Sequence, residues 1–291
     1  MAEGNSTFLE TESKKSRKRE QLRLGLYRLA FGLAVLTVWQ LSASPHSFLA
    51  QGLPNLFPLI DDYWVSTPSK IAEQFWEITR SGEIFIHFKG TMLNTVIGYV
   101  FGAAIGISIG FLLAEFETIA KVLEPYIMAF NGVPRIAYAP LFIVWFGIDI
   151  ESKVILVMTI VFFLTFINTY SGIRGVNPDL INIARIMGAT KLQIMRKVVL
   201  PGASPWIISG LKVSVPFSLV GAIVGEFIAA SSGLGFLLQL YMNLYNTTGV
   251  ILVILILMFV VMILNILLNW MESYVLRWRP TTSGTQEGPE M

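Results

Sequence analysis

The sequence predicts an all-α integral membrane protein with six transmembrane helices and both termini in the cytoplasm. Three observations carry that expectation. Of 291 residues 54% are hydrophobic and only 14% charged, whereas soluble domains carry roughly a quarter charged residues. Six apolar segments approach the ~20 residues that cross a bilayer core. Finally, Lys and Arg gather in the connections of one side, which orients a membrane chain.

The first segment, 24–43, follows the cations Lys14, Lys15, Arg17, Lys18 and Arg19. A secretory signal would begin the same way, but this run has the length of a full span. The "LSASPHS" after it is a weak cleavage pattern, so the segment reads as a retained helix. Residues 1–20 are polar and are expected to form a disordered cytoplasmic tail, as are 281–291. The span-bearing domain is then 21–280.

Residues 44–90 make the longest external connection. Within it Ile71, Phe75, Trp76 and Ile78 recur at roughly helical spacing among charged residues, and "STP" ahead of them is a helix start. An interfacial helix on the outer surface is expected. The second span, 91–113, carries Gly98, Gly102, Gly106 and Gly110, one every four residues. Such a stripe lets another helix approach closely, and static packing is the simpler reading than a sliding contact.

The third span, 124–146, contains Pro134 and Pro140, each of which removes a backbone donor and invites unwinding. Arg135 lies near mid-membrane by residue count, where a charge costs at least ~2.5 kcal/mol on insertion scales unless it is paired or faces water. Spans four to six are expected over 152–170, 206–229 and 250–270. In the fifth, Glu226 is the acidic residue deep enough to be a counter-ion for Arg135, as a structural pair or along a path. Lys212, nearer the inner end, is expected to snorkel. On these boundaries fifteen Lys and Arg residues fall on one side, against Lys70, Arg80, Lys89 and Lys153 on the other.

Several chemistries lack material. There is no cysteine, and His46 and His87 are isolated, which leaves no metal spacing. A net charge of +2 without a basic soluble face does not point to nucleic acid. No Gly-x4-Gly-Lys-Ser/Thr occurs, so the chain has no such loop for nucleotide phosphates.

The cytoplasmic loop 174–205 between spans four and five is different in kind. In "NIARIMGATKLQIMRKVVLPG", Ala184, Gly188, Leu192, Met195 and Val199 fall on one helical stripe, while Thr190, Gln193 and Lys197 face away. Gly188 is expected to break the segment into two short helices. Pro201 is expected to stop the second, with Gly202 turning the chain into the next span. From the residues alone, a surface resting on anionic headgroups and a knob for a cytoplasmic partner are about equally supported.

The spacing Ala184, three residues, Gly188, nine residues, Val198-x-Leu200-Pro201 resembles the "EAA" coupling loop of ABC importer permeases. "GVPRIAYAPLFIVWFGI" and "VGEFIAASSGLGFLL" likewise resemble the nitrate, sulfonate and taurine branch, which includes bicarbonate and pyrimidine-type transporters. The resemblance implies a type I importer permease fold and a coupling surface at Asn182, Ala184, Gly188, Ala189, Leu200 and Pro201. It further implies partner ATPases that use ATP and Mg, an extracytoplasmic substrate-binding protein and a second copy of the chain in a homodimer. ATP-driven closure of the ATPases would press the two loops together and switch the pore outward; hydrolysis would reset it. Asn182 and Ile183 stand where the family often has Glu and Ala, so only a neutral hydrogen bond is available there.

Candidate path residues are Arg135, Asn131, Tyr138, Phe217, Ser218 and Glu226. An anionic solute would use Arg135 with Ser218 or Asn131; a heterocycle would use Tyr138 and Phe217. A secondary transporter or channel is the alternative, but it would need paired ionisable groups or inverted repeats that the spans do not offer. A mere membrane anchor would leave the deep arginine and the proline-broken helix without a purpose.

Overall fold

The computed structural model describes residues 2–43 and 65–275. They are helical, with no strand among them, and fall into two compact units divided at Ile78/Thr79, Leu244/Tyr245 and Leu252/Val253. The 44–64 part of the external connection and the 281–291 tail lie outside the described residues.

In the first unit, α1 (Ala2–Ala43) includes the apolar stretch Arg23–Ser42. Its helix runs back to Ala2, a difference from the tail expected over 1–20. Gln40 ties α1 to the start of α2 (Pro68–Arg80), accepting from the Ser69 backbone at 3.1 Å and donating to its hydroxyl at 3.2 Å. Thr67 begins α2: its carbonyl accepts from Ile71 and its hydroxyl from the Lys70 amide. Ile71 and Ile78 are buried, whereas Phe75 and Trp76 of the same predicted set are exposed.

The second unit is built on three long helices, α3 (Glu83–Glu115), α6 (Ile150–Arg174) and α9 (Leu200–Ile228). Lipid removes most of the hydrophobic drive between helices, so close packing and hydrogen bonds must hold them. The glycine stripe of α3 meets α6: a Cβ at Gly102 would stand 2.6 Å from the Met158 carbonyl oxygen, and one at Gly98 2.8 Å from that of Val154. On the other side of α6, Gly210 and Gly221 of α9 lie against Asn168 and Ile160. Ala103, Val157, Val161 and Ala222 fill the centre where the three meet.

The third expected span is not one helix. α4 (Glu117–Gly132) and α5 (Ala139–Phe146) are joined by a 3-10 turn over Arg135–Tyr138, and the pair bends by 85°. Pro134 sits in extended backbone before the turn and Pro140 opens α5, which is how a missing donor is tolerated. With this pair counted as one, there are six candidate spans. The last, α11 (Thr247–Val275), follows the short α10 (Leu234–Asn243).

Between α6 and α9 the loop folds as α7 (Pro178–Ile186) and α8 (Lys191–Ile194). Pro201 does not stop the second of these. The helical path continues through a π turn at Met195–Val199 into α9, with the Leu200 amide donating to Met195 five residues back. The added residue widens the turn just where the proline ring would meet the carbonyl four residues before it.

Candidate functional site

The α7–α8 loop is shaped by local chemistry. Asn177 caps α7, its side chain accepting from the Asp179 amide at 2.9 Å. The helix ends in paired bonds, Gly188 N–H to Arg185 and Ala189 N–H to Ala184, with Gly188 at φ +81. This left-handed residue is the helix break that the sequence places there. Thr190 and Gln193 then cap α8 reciprocally.

The left-handed turn also resets the helical phase, so the single stripe read from the sequence does not survive. Ile194 and Val199 are buried with Val176 and Ala203, and Ile181, Ala184, Ala189 and Met195 pack on them. Leu192 and Gly188 are exposed instead. Asn182 is also exposed, and Leu200 and Pro201 sit at the root of the loop. At its tip Ile186 is 86% and Met187 81% exposed. Among the described residues nothing covers these two large apolar side chains.

Arg135, Asn131 and Tyr138 are brought together at the bend between α4 and α5. Arg135 donates through Nη2 to Asn131 Oδ1, and its guanidinium lies 5.2 Å from the centre of the Phe163 ring. Its Nε is buried with no hydrogen-bond partner among the described residues. Tyr138 continues the aromatic run, its ring 6.1 Å from that of Phe142. Phe163 was not legible as a partner because it lies on α6, away in sequence from the turn.

Phe217, Ser218 and Glu226 do not join that group as one surface. Phe217 is exposed on α9, whereas Ser218 is buried and donates to the Val215 carbonyl of its own helix. Glu226 has no exposed surface and makes no ion pair with Arg135. Its carboxylate accepts from Thr91 at 2.8 Å, Asn94 at 3.0 Å and the Gly235 amide at 2.9 Å. The cation whose field reaches it is Lys153 of α6, itself buried and donating to the Ile148 carbonyl. Thr91 accepts from the Leu234 amide, and His87 Nδ1 from that of Gly233. This network fastens the first turns of α3 to α9 and to the turn before α10. Its signal in the sequence was a row of polar residues, Thr91, Asn94 and Thr95, on an otherwise apolar helix.

Among the described residues no three His, Cys, Asp or Glu side chains gather as a metal site.

Residues 85–278 match the family described as the binding-protein-dependent transport system inner membrane component. An aliphatic sulfonates transport permease, SsuC of Bacillus subtilis, is 31% identical over 93% of both chains. The formylaminopyrimidine transport permease ThiX of Halalkalibacterium halodurans is 30% identical over 86% of this chain and 94% of its own. In fold, the inward-facing MetNI methionine ABC transporter aligns with a TM-score of 0.57 at 20% identity, over 71% of this chain and 97% of that one. The chain belongs to the inner-membrane permeases of binding-protein-dependent ABC transport systems, in the branch that includes the sulfonate permeases, and is a multi-pass protein of the bacterial inner membrane.

Proposed function

We propose that this chain forms the pore of an ATP-driven importer that takes a small solute into the cytoplasm by alternating access. The observation that carries the proposal is the α7–α8 loop, whose Ile186 and Met187 stand exposed on a capped knob between two spans. A cytoplasmic ATPase that hydrolyses ATP with Mg grips this knob, and a second copy of the chain completes the pore. A substrate-binding protein delivers the solute from outside. Both termini and the knob are cytoplasmic, in keeping with the fifteen Lys and Arg residues on that side.

The solute is a small anion, such as a sulfonate, taurine, nitrate or bicarbonate, or a small heterocycle. The relatives' described substrates, aliphatic sulfonates and formylaminopyrimidine, span the same two classes. Arg135, Asn131 and Tyr138 at the bend are the groups proposed to face it, with the cation and the aromatic rings suited to either class.

The test is co-purification of the chain expressed with a candidate ATPase, followed by ATPase assay in lipid with Gly188 intact and with Gly188→Trp. Retention of the ATPase by the native chain, and its release or uncoupling by the replacement, is the expected result. If no ATPase associates with either form, the loop is a lipid-facing surface and the importer mechanism fails.

A further inference from the structure

Beside the buried face of α9 lies a groove that shares only Leu200 and Pro201 with the coupling surface expected from the sequence. It has a volume of about 580 Å³ and runs between the inner half of α9 and the end of α11. Leu200, Ile207, Ile208, Leu211 and Leu268 wall it, and the Lys212–Glu272 ion pair, at 2.5 Å, bridges the two helices across it. That pair neutralises its own charges. Arg196, at the mouth, is exposed and, among the described residues, has no acidic side chain within ion-pair distance. The volume lies within the 300–1,000 Å³ typical of ligand pockets, and the lining is apolar apart from its cationic mouth and the neutralised pair.

We propose that this groove binds one anionic phospholipid. An acyl chain lies along Ile207, Ile208, Leu211 and Leu268, and the phosphate is held at the mouth by Arg196. Apart from the neutralised Lys212–Glu272 pair, the wall toward the span is hydrocarbon, and a guanidinium with no acidic partner among the described residues lies toward the loop. A zwitterionic lipid would fill the wall equally well but would bring a cationic headgroup beside Arg196. Arginine suits a phosphate because its planar fork donates in pairs. Placing the lipid in the cytoplasmic leaflet rests on the orientation proposed above; the groove and its test do not.

The test is native mass spectrometry of the purified full chain in detergent, with phosphatidylglycerol or phosphatidylcholine added. The expected result is one tightly held phosphatidylglycerol per chain and no comparable phosphatidylcholine. Arg196→Gln should weaken it about tenfold, the loss expected for one charge-assisted hydrogen bond. Ser204→Trp should abolish it by filling the groove, since the Ser204 hydroxyl serves only the Pro201 carbonyl of its own helix. Lys197→Gln removes the same charge one residue away from the lining and should leave it unchanged, while thermal unfolding shows all three variants folded. Equal retention in Arg196→Gln and Ser204→Trp, equal binding of phosphatidylcholine, or an equal loss in Lys197→Gln would each overturn the site. So would a dimer that Ser204→Trp splits without any lipid having bound, because a second copy would then occupy the groove.

Discussion

Glu226 and Thr91, 135 residues apart, meet at 2.8 Å inside the protein, the threonine donating to the carboxylate while accepting from the Leu234 amide. One hydroxyl thus joins α3, α9 and the start of α10. Removing the acceptor with Glu226→Ala would strand Thr91, Asn94 and the Gly235 amide together. At about 1–3 kcal/mol for each unsatisfied buried group, the variant is expected to lose most of its folded protein in detergent. Glu226→Gln is expected to be mild for a specific reason: Asn94 Oδ1 is buried without a partner among the described residues. A half-turn of the Asn94 amide would let it accept from the new amide nitrogen and restore the pairing. Size-exclusion profiles and thermal unfolding of the two variants check this, and Asn94→Val combined with Glu226→Gln should remove the rescue.

The α3–α6 contact makes a second expectation. A Cβ at Gly102 would sit 2.6 Å from the Met158 carbonyl oxygen and one at Gly110 2.9 Å from that of Phe166. Backbone atoms cannot rotate aside, so the helices must part, at about 1–3 kcal/mol for such overpacking. Gly90→Ala, whose nearest neighbours stand at 3.6 Å, should be tolerated. Thermal unfolding of Gly102→Ala beside Gly90→Ala measures the difference. Unchanged stability with slowed transport in Gly102→Ala would mark a sliding contact instead of a static one.

Features set by neighbours along the chain were legible from the residues: the spans, the Thr67 start of α2, the Gly188 break and the close approach implied by the glycine stripe. Those that need distant partners were not. Composition singled out Glu226 as a deep acid but suggested Arg135 as its counter-ion. The structure gives it Thr91, Asn94 and the field of Lys153 instead. Helical phase also misled: a 100° wheel carried through Gly188 assumes one unbroken helix, and a residue at φ +81 rotates everything after it. Pro201 was read as a stop because a proline clashes in an α-helix. The π turn before it changes the turn it would clash with.

The loop tip allows stability and coupling to be separated. Ile186 and Met187, 86% and 81% exposed, contribute little to the fold. Ile186→Asp and Met187→Asp should therefore unfold at the temperature of the parent while losing ATPase association about tenfold or more, as expected when an apolar anchor is replaced by a charge. Gly188 should behave differently, because a Cβ there meets nothing within 4 Å and the strain is in the backbone alone. Gly188→Asn should be milder than Gly188→Val, since Asn tolerates the left-handed region and a β-branched residue does not. Pull-down of the ATPase beside thermal unfolding tests the pair of expectations.

Arg135 does two things at once: one end of its guanidinium holds Asn131, and its central carbon lies over the Phe163 ring. If the bend between α4 and α5 depends on that shape, Arg135→Lys should fail nearly as badly as Arg135→Gln, because an ammonium cannot bond and stack at once. Uptake in proteoliposomes containing the ATPase and the binding protein is expected to fall about tenfold in both variants, which corresponds to ~1.4 kcal/mol. Asn131→Ala should reproduce part of the loss, while co-purification with the ATPase stays intact in all three. Near-native uptake by Arg135→Lys alone would reverse the interpretation: charge without shape would suffice, and attraction of an anionic solute would be the role of the residue.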